Sequence, residues 1–208
     1  MILFIDTTTS YPVVAVSDGC NIKDIYNSKI DNDISVSIFS IIEDMFNKLE
    51  ITPKDIKTIM VANGPGSFTG TRIGVTIAKV YGYSFNLKVI PVSSLELLAT
   101  TSVETEYVVP MIDARRGYVF AGIYDKNLNV IKEDSYISLE DLNNELLDKD
   151  YTFISNDEFD FETMNSKINL EKLLLKHMDD EGVNVHSLNP NYLKKTEAEE
   201  KLNDKGNN

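Results

Sequence analysis

The chain has 208 residues, 42% of them hydrophobic and 25% charged, enough for one large domain or two small lobes with real cores. Its 33 acidic against 20 basic residues leave a net charge of −13, which argues against gripping nucleic acid unaided, because phosphate binding relies on Lys and Arg. The first residues form a strand-like run with no basic leader region. No apolar run approaches the ~20 residues of a membrane span, so a cytoplasmic protein is expected. A single cysteine, Cys20, rules out an internal disulfide and reads as a small apolar filler.

In chain order, Met1–Asp6, Pro12–Ser17 and Asn21–Ser28 read as three strands joined by tight turns, an antiparallel meander. A helix over Ser35–Leu49 follows, with Ile38, Ile41, Ile42, Met45 and Leu49 on one apolar face. Phe39 and Phe46 sit off that stripe and suggest a second buried contact. Thr52-Pro53-Lys54-Asp55 has the chemistry of a helix start, ahead of a strand at Thr58–Ala62. A glycine-rich loop, Asn63–Gly70, then leads into a long helix at Thr71–Asn86. There Gly74, Ala78 and Gly82 recur every four residues as a ridge that another helix can approach closely. With further apolar rows at Ile73, Ile77, Val80 and Tyr81, this helix is either buried in its own domain or shared with a partner.

A strand at Lys88–Val92 and a helix opened by Ser93-Ser94-Leu95-Glu96 close the first half. The polar stretch Thr101–Glu106 marks a boundary, giving a first lobe over residues 1–103, a smaller second lobe over 104–195 and a charged tail over 196–208. The second lobe repeats the order of the first: strands at Tyr107–Asp113, Tyr118–Tyr124 and Val130–Tyr136, a helix capped by Ser138, a strand at Tyr151–Ser155 and a helix at Leu170–Met178. Between Lys132 and Glu162 it carries eleven acidic residues against two lysines, either a solvated face or a docking surface for a basic partner.

Three segments could carry chemistry. Asp6, Thr7 and Thr8 end the first strand with a carboxylate and hydroxyls. Gly66 and Ser67, at a helix start with Arg72 nearby, could meet an anion or nucleotide, or the glycines could simply serve a tight crossover. The loop lacks the Gly-Lys-Ser/Thr of a phosphate-binding P-loop. Asp113-Ala114-Arg115-Arg116-Gly117 ends a strand, and its Asp–Arg pair either ties the lobes together or faces a partner. His177 and His186, nine apart and without a cysteine companion, are poorly spaced for metal, and no catalytic triad stands out.

Taken together, Ile2–Thr9, Asn63–Gly74 with Ala78-Lys79, Pro91–Glu96, Asp113–Gly117 and Pro190–Lys194 resemble the TsaB (YeaZ) family. The Gly-Pro-Gly-Ser-Phe-Thr-Gly-Thr-Arg-Ile-Gly run is the specific part of the match. The resemblance implies an α/β fold of the two-lobed actin-like ATPase (ribonuclease H-like) type with a reduced second lobe. It also implies a non-catalytic subunit that pairs with TsaD, the threonylcarbamoyl transferase of tRNA, alongside TsaE and TsaC. The pairing surface would come from the helices at Ser35–Leu49 and Thr71–Asn86, with Phe39, Ile42, Phe46, Gly74, Ile77, Ala78 and Tyr81 as contacts, and the same surface could support a homodimer. TsaD carries a metal-binding histidine pair, whereas this chain has no histidine before His177, so no metal, no catalytic residue and no cofactor of its own are expected. ATP or ADP would enter only at the complex interface, and no strong direct contact with tRNA is expected. An independent ATPase or small-molecule kinase is the alternative; a peptidase has less support.

Overall fold

The computed structural model describes residues 1–30 and 33–194. The charged tail expected over 196–208 lies outside the described residues.

Two sheets form from two similar runs of elements. The first contains β1 (Ile2–Asp6), β2 (Val13–Asp18), β3 (Asn21–Asn27), β4 (Thr58–Ala62) and β5 (Lys88–Val92) in the order β3-β2-β1-β4-β5. β1 to β3 are antiparallel neighbours, while β4 and β5 run parallel to β1. The second contains β6 (Tyr107–Asp113), β7 (Tyr118–Asp125), β8 (Val130–Ser138) and β9 (Tyr151–Ile154) in the order β8-β7-β6-β9, with β9 parallel to β6. The strand order of the second sheet thus repeats the first four strands of the first. This duplicated topology is that of the actin-like two-lobed fold, with one strand fewer in the second sheet.

The helices are α1 (Ile34–Lys48), α2 (Phe68–Phe85), α3 (Ser94–Ala99), α4 (Leu139–Glu145) and α5 (Leu170–His177). β1 is buried on both faces, and this explains its unbroken apolar sequence. Alternate residues supply two cores. Leu3 and Ile5 pack beneath α1 and α2, and Ile2 and Phe4 face a second core with α3, α5, Val108 and Ile154. A third core lies beyond, where Val109, Met111 and Val119 of the second sheet meet Leu142 of α4. The layers therefore run α1/α2, first sheet, α3/α5, second sheet, α4. All six residues of α3 are buried, as expected for a helix between two sheets.

Most predicted elements fall within a residue or two of these bounds, with two instructive differences. α2 begins at Phe68 rather than Thr71, because Ser67 caps it: its Oγ accepts the Gly70 N–H at 3.3 Å. Three of the eight residues of the expected loop, Phe68 to Gly70, thus form the first helical turn. In addition, residues 183–192, grouped by sequence with the second lobe, pack on the first. The Val183 N–H bonds to the Val89 carbonyl, Leu188 joins the core under α2, and the Asn191 N–H reaches the Asn63 carbonyl at 2.6 Å. No described helix is long and apolar enough to cross a membrane.

Candidate functional site

The end of β1 and the glycine loop meet as the sequence suggests, but they close on each other. The Asp6 carboxylate accepts the Thr8 N–H at 2.8 Å and the Thr8 hydroxyl at 2.7 Å. Burial pushes the Asp6 carboxyl up to about 6 against the pull of those two bonds. The Ser67 N–H, a donor that could have met an anion, bonds instead to the Thr8 carbonyl at 2.7 Å, and the Thr7 hydroxyl bonds to the Gly70 carbonyl. A Cβ on Gly66 would stand 2.5 Å from the Thr8 carbonyl oxygen, and one on Gly70 would stand 1.9 Å from that of Thr7. Only glycine permits this approach. Asp6, Thr7 and Thr8 are accordingly buried.

Arg72 does not join them. Its guanidinium lies 3.6 Å from the centroid of Phe68, and its Nε donates to the Tyr192 hydroxyl at 2.7 Å. Of the six residues considered for an anion, five come together, with the Asp6 carboxylate, the Thr7 and Thr8 hydroxyls and the Ser67 N–H engaged by the protein, and the one cation among the six lies elsewhere.

On the outer side, α1 and α2 present a different surface. Ile42, Phe46, Gly74, Ile77 and Ala78 are buried in the chain's own core, so they are not exposed contacts. The small-residue ridge points inward because the sheet needs the space: a Cβ on Gly74 would meet the Thr7 hydroxyl at 2.7 Å, and one on Gly82 would meet Val89 at 2.7 Å. The periodicity had identified the ridge but not the side it faces. Phe39 remains 54% exposed and Tyr81 half-buried. Other apolar side chains that the sequence reading had not singled out as contacts complete the face: Val36 (69% exposed), Phe68, Val80 and Tyr83. Between the helices runs a groove of 330 Å³ lined by Phe39, Phe68, Arg72 and Ile73. The signal for this surface was present in sequence as apolar residues opposite the glycines.

The Asp113–Arg pair does not tie the halves. Asp113 Oδ1 accepts the Arg115 backbone N–H at 2.8 Å within its own turn, and both side chains are exposed. The connection is made by two other carboxylates. Asp134 of β8 accepts the Ser93 hydroxyl and the Tyr124 hydroxyl, the latter at 2.6 Å, and burial raises its pKa. Glu96 of α3 takes Lys176 at 2.6 Å and His177 at 2.9 Å from α5. Burial works to raise the Glu96 carboxyl, but His177 and Lys176 outweigh it and hold the pKa low. His177 is thus engaged by Glu96 and Asp180, and His186 rests edge-on against Tyr83. Among the described residues no group of three or more His, Cys, Asp or Glu is placed to hold a metal.

Comparison with known proteins fits this architecture. The family model described as "TsaD: tRNA N6-adenosine threonylcarbamoyltransferase" matches residues 29–165. The TsaB protein of Bacillus subtilis is 31% identical over 96% of this chain and 96% of its own length. That of Escherichia coli is 31% identical over 62% of this chain and 57% of its own. The structure of YeaZ from Pseudomonas aeruginosa superposes with a TM-score of 0.77 at 20% identity, covering 92% of this chain and 99% of that one. The chain belongs to the TsaB (YeaZ) family of tRNA threonylcarbamoyladenosine biosynthesis proteins, itself related to TsaD.

Proposed function

We propose that this chain is the non-catalytic scaffold subunit of the complex that adds threonylcarbamoyl to the tRNA adenosine beside the anticodon, and that it binds and activates TsaD through the α1/α2 face. The observation that carries this reading is the apolar surface of those helices. Val36, Phe39, Phe68, Val80 and Tyr83 are all more than half exposed, although the chain has ample buried positions for apolar side chains. An apolar patch of this kind lies idle on a monomer and gains free energy when covered. The self-satisfied Asp6–Ser67 cluster supports assigning the chemistry to the partner, with ATP or ADP, if used, bound at the complex interface. TsaE and TsaC complete the pathway functionally, and in the absence of TsaD the same face can pair two copies of this chain.

Reconstitution tests the reading. Modification of tRNA by TsaC, TsaD and TsaE should depend on adding this chain, and undiminished modification without it would refute the scaffold role. Phe39→Ala should leave the fold intact, because the ring is largely exposed, yet weaken TsaD binding about tenfold or more, as expected for an aromatic anchor. Unchanged affinity by calorimetry would exclude Phe39 from the interface.

A further inference from the structure

The chain contains 17 lysines but only three arginines, Arg72, Arg115 and Arg116, and two sets of aromatic contacts, linked through residues 192–194 of the chain, lie between them. Arg72 lies on Phe68, which stacks on Tyr192 with centroids 5.4 Å apart. Two residues further, a span of about 7 Å, Lys194 places its ammonium 5.1 Å from the ring centroid of Tyr136. Tyr136 in turn stacks on Tyr118 at 4.7 Å with the rings nearly parallel, and Tyr118 directly follows the Arg115-Arg116-Gly117 turn. Among the described residues none of the three guanidinium groups is in an ion pair, although acidic residues outnumber basic ones by 33 to 20.

Arg115 and Arg116 also hold left-handed backbone conformations, with φ of 67° and 58°. Each costs about 1 kcal/mol or more for a residue with a Cβ. Both guanidiniums remain exposed, so this cost is not recovered by packing.

We propose that the part of this strip outside the α1/α2 groove, from Lys194 through Tyr136 and Tyr118 to Arg115 and Arg116, is an RNA contact surface. Its guanidiniums and ammonium take backbone phosphates, and Tyr118, 40% exposed, offers a ring for an unpaired base. Phosphates alone would need only cations, and an apolar protein partner would have no use for unpaired arginines; their interleaving with stacked tyrosines selects a polyanion that carries bases. The strip complements an otherwise acidic surface, so it positions RNA within an assembly and does not bind it tightly alone. The proposal rests on the scaffold reading in that the complex with TsaD supplies the remaining affinity.

The test is fluorescence anisotropy with labelled tRNA on the complex of this chain with TsaD, across a salt titration. Arg115→Gln/Arg116→Gln should weaken binding at least about tenfold near 0.1 M salt and reduce the log–log salt slope by about 2. Lys54→Ala/Lys149→Ala removes the same charge elsewhere and should change neither. Tyr118→Leu should weaken binding several-fold with the slope unchanged. Equal affinity and slope for wild type and the double arginine variant would overturn the strip, as would an equal loss in the lysine control. Failure of the chain to pair with TsaD would instead refute the scaffold reading. The same titration on the chain alone with a single-stranded RNA oligonucleotide then decides the strip, and identical binding by wild type and variant would overturn it.

Discussion

The strands at corresponding places in the two sheets, β1 and β6, end in the same local device. Asp6 accepts the N–H of Thr8 and Asp113 accepts that of Arg115, each two residues on and each at 2.8 Å. Around this shared turn the two halves have diverged completely. The Asp6 turn is sealed beneath the glycine loop, with its hydroxyls and carbonyls bonded internally. The Asp113 turn lies open and ends in two exposed arginines with left-handed backbones. In a duplicated α/β architecture the carboxyl ends of these strands are where ligands usually meet the fold. Here one such end has become packing, and the other has been left for surface contacts.

The largest expected effect breaks the sealed turn. Gly70→Ala would force a methyl to within 1.9 Å of the Thr7 carbonyl oxygen, a backbone atom with no rotamer to escape into. The helix start or the β1 turn must move, costing about 4 kcal/mol and lowering Tm by about 8 °C or more. The same substitution in the open turn meets no atom within 4 Å; Gly117→Ala pays only for its φ of 76°, about 1 kcal/mol. Thermal unfolding of both variants measures the contrast, and equal losses would mean that the sealed turn can relax.

The next effect concerns pH. Burial raises the Asp6 carboxyl from its ordinary 3.8 to about 6, so the folded state holds this proton more tightly than the unfolded chain. The stability it contributes is therefore whole below about pH 4, falls as pH rises toward about 6, and is lost above that, a decline of about 2–3 kcal/mol. Asp6→Asn keeps the acceptor oxygen for Thr8 and cannot ionise. Its stability should lack this component of the pH dependence, so the variant gains on wild type between about pH 4 and 7 in urea unfolding. Parallel profiles for the two proteins would show that Asp6 is solvated better than its burial implies.

Much of this was legible in the sequence. Period-two and period-3.6 patterns located nearly every strand and helix, and the repeated element order announced the duplicated architecture. The sides were harder. Gly74, Ala78 and Gly82 defined a ridge, but only the Thr7 and Val89 side chains, distant in sequence, show that it faces the sheet. Phe68, Thr69 and Gly70 read as part of the glycine loop, although Ser67 already offers a cap for a helix that starts at Phe68. The run over residues 183–194 has no periodicity at all, and its place depends on contacts distant in sequence, such as Leu188 in the core under α2 and the Asn191 bond to Asn63. The paired aspartates at Asp6 and Asp113 were visible as letters. Their equivalence needed the sheet order.

The smallest effect tests that equivalence directly. In Asp113→Ala the Arg115 N–H loses its carboxylate acceptor, but this turn is exposed, so water replaces it at a cost of about 0.5–1 kcal/mol. The Asp113 N–H keeps its own bond to Asp157 at 2.8 Å, because that contact uses the backbone. Asp6→Ala at the same position of the other turn strands the buried Thr8 N–H and hydroxyl with no water to take over, and should cost several times more. Comparable losses in urea unfolding would show that the Asp113 bond matters structurally and that the open turn is held as firmly as the sealed one. A small loss, with the arginines still in place, would mean that the geometry of the open turn is inherited from the shared strand end and that its exposed side chains are free to serve contact with other molecules.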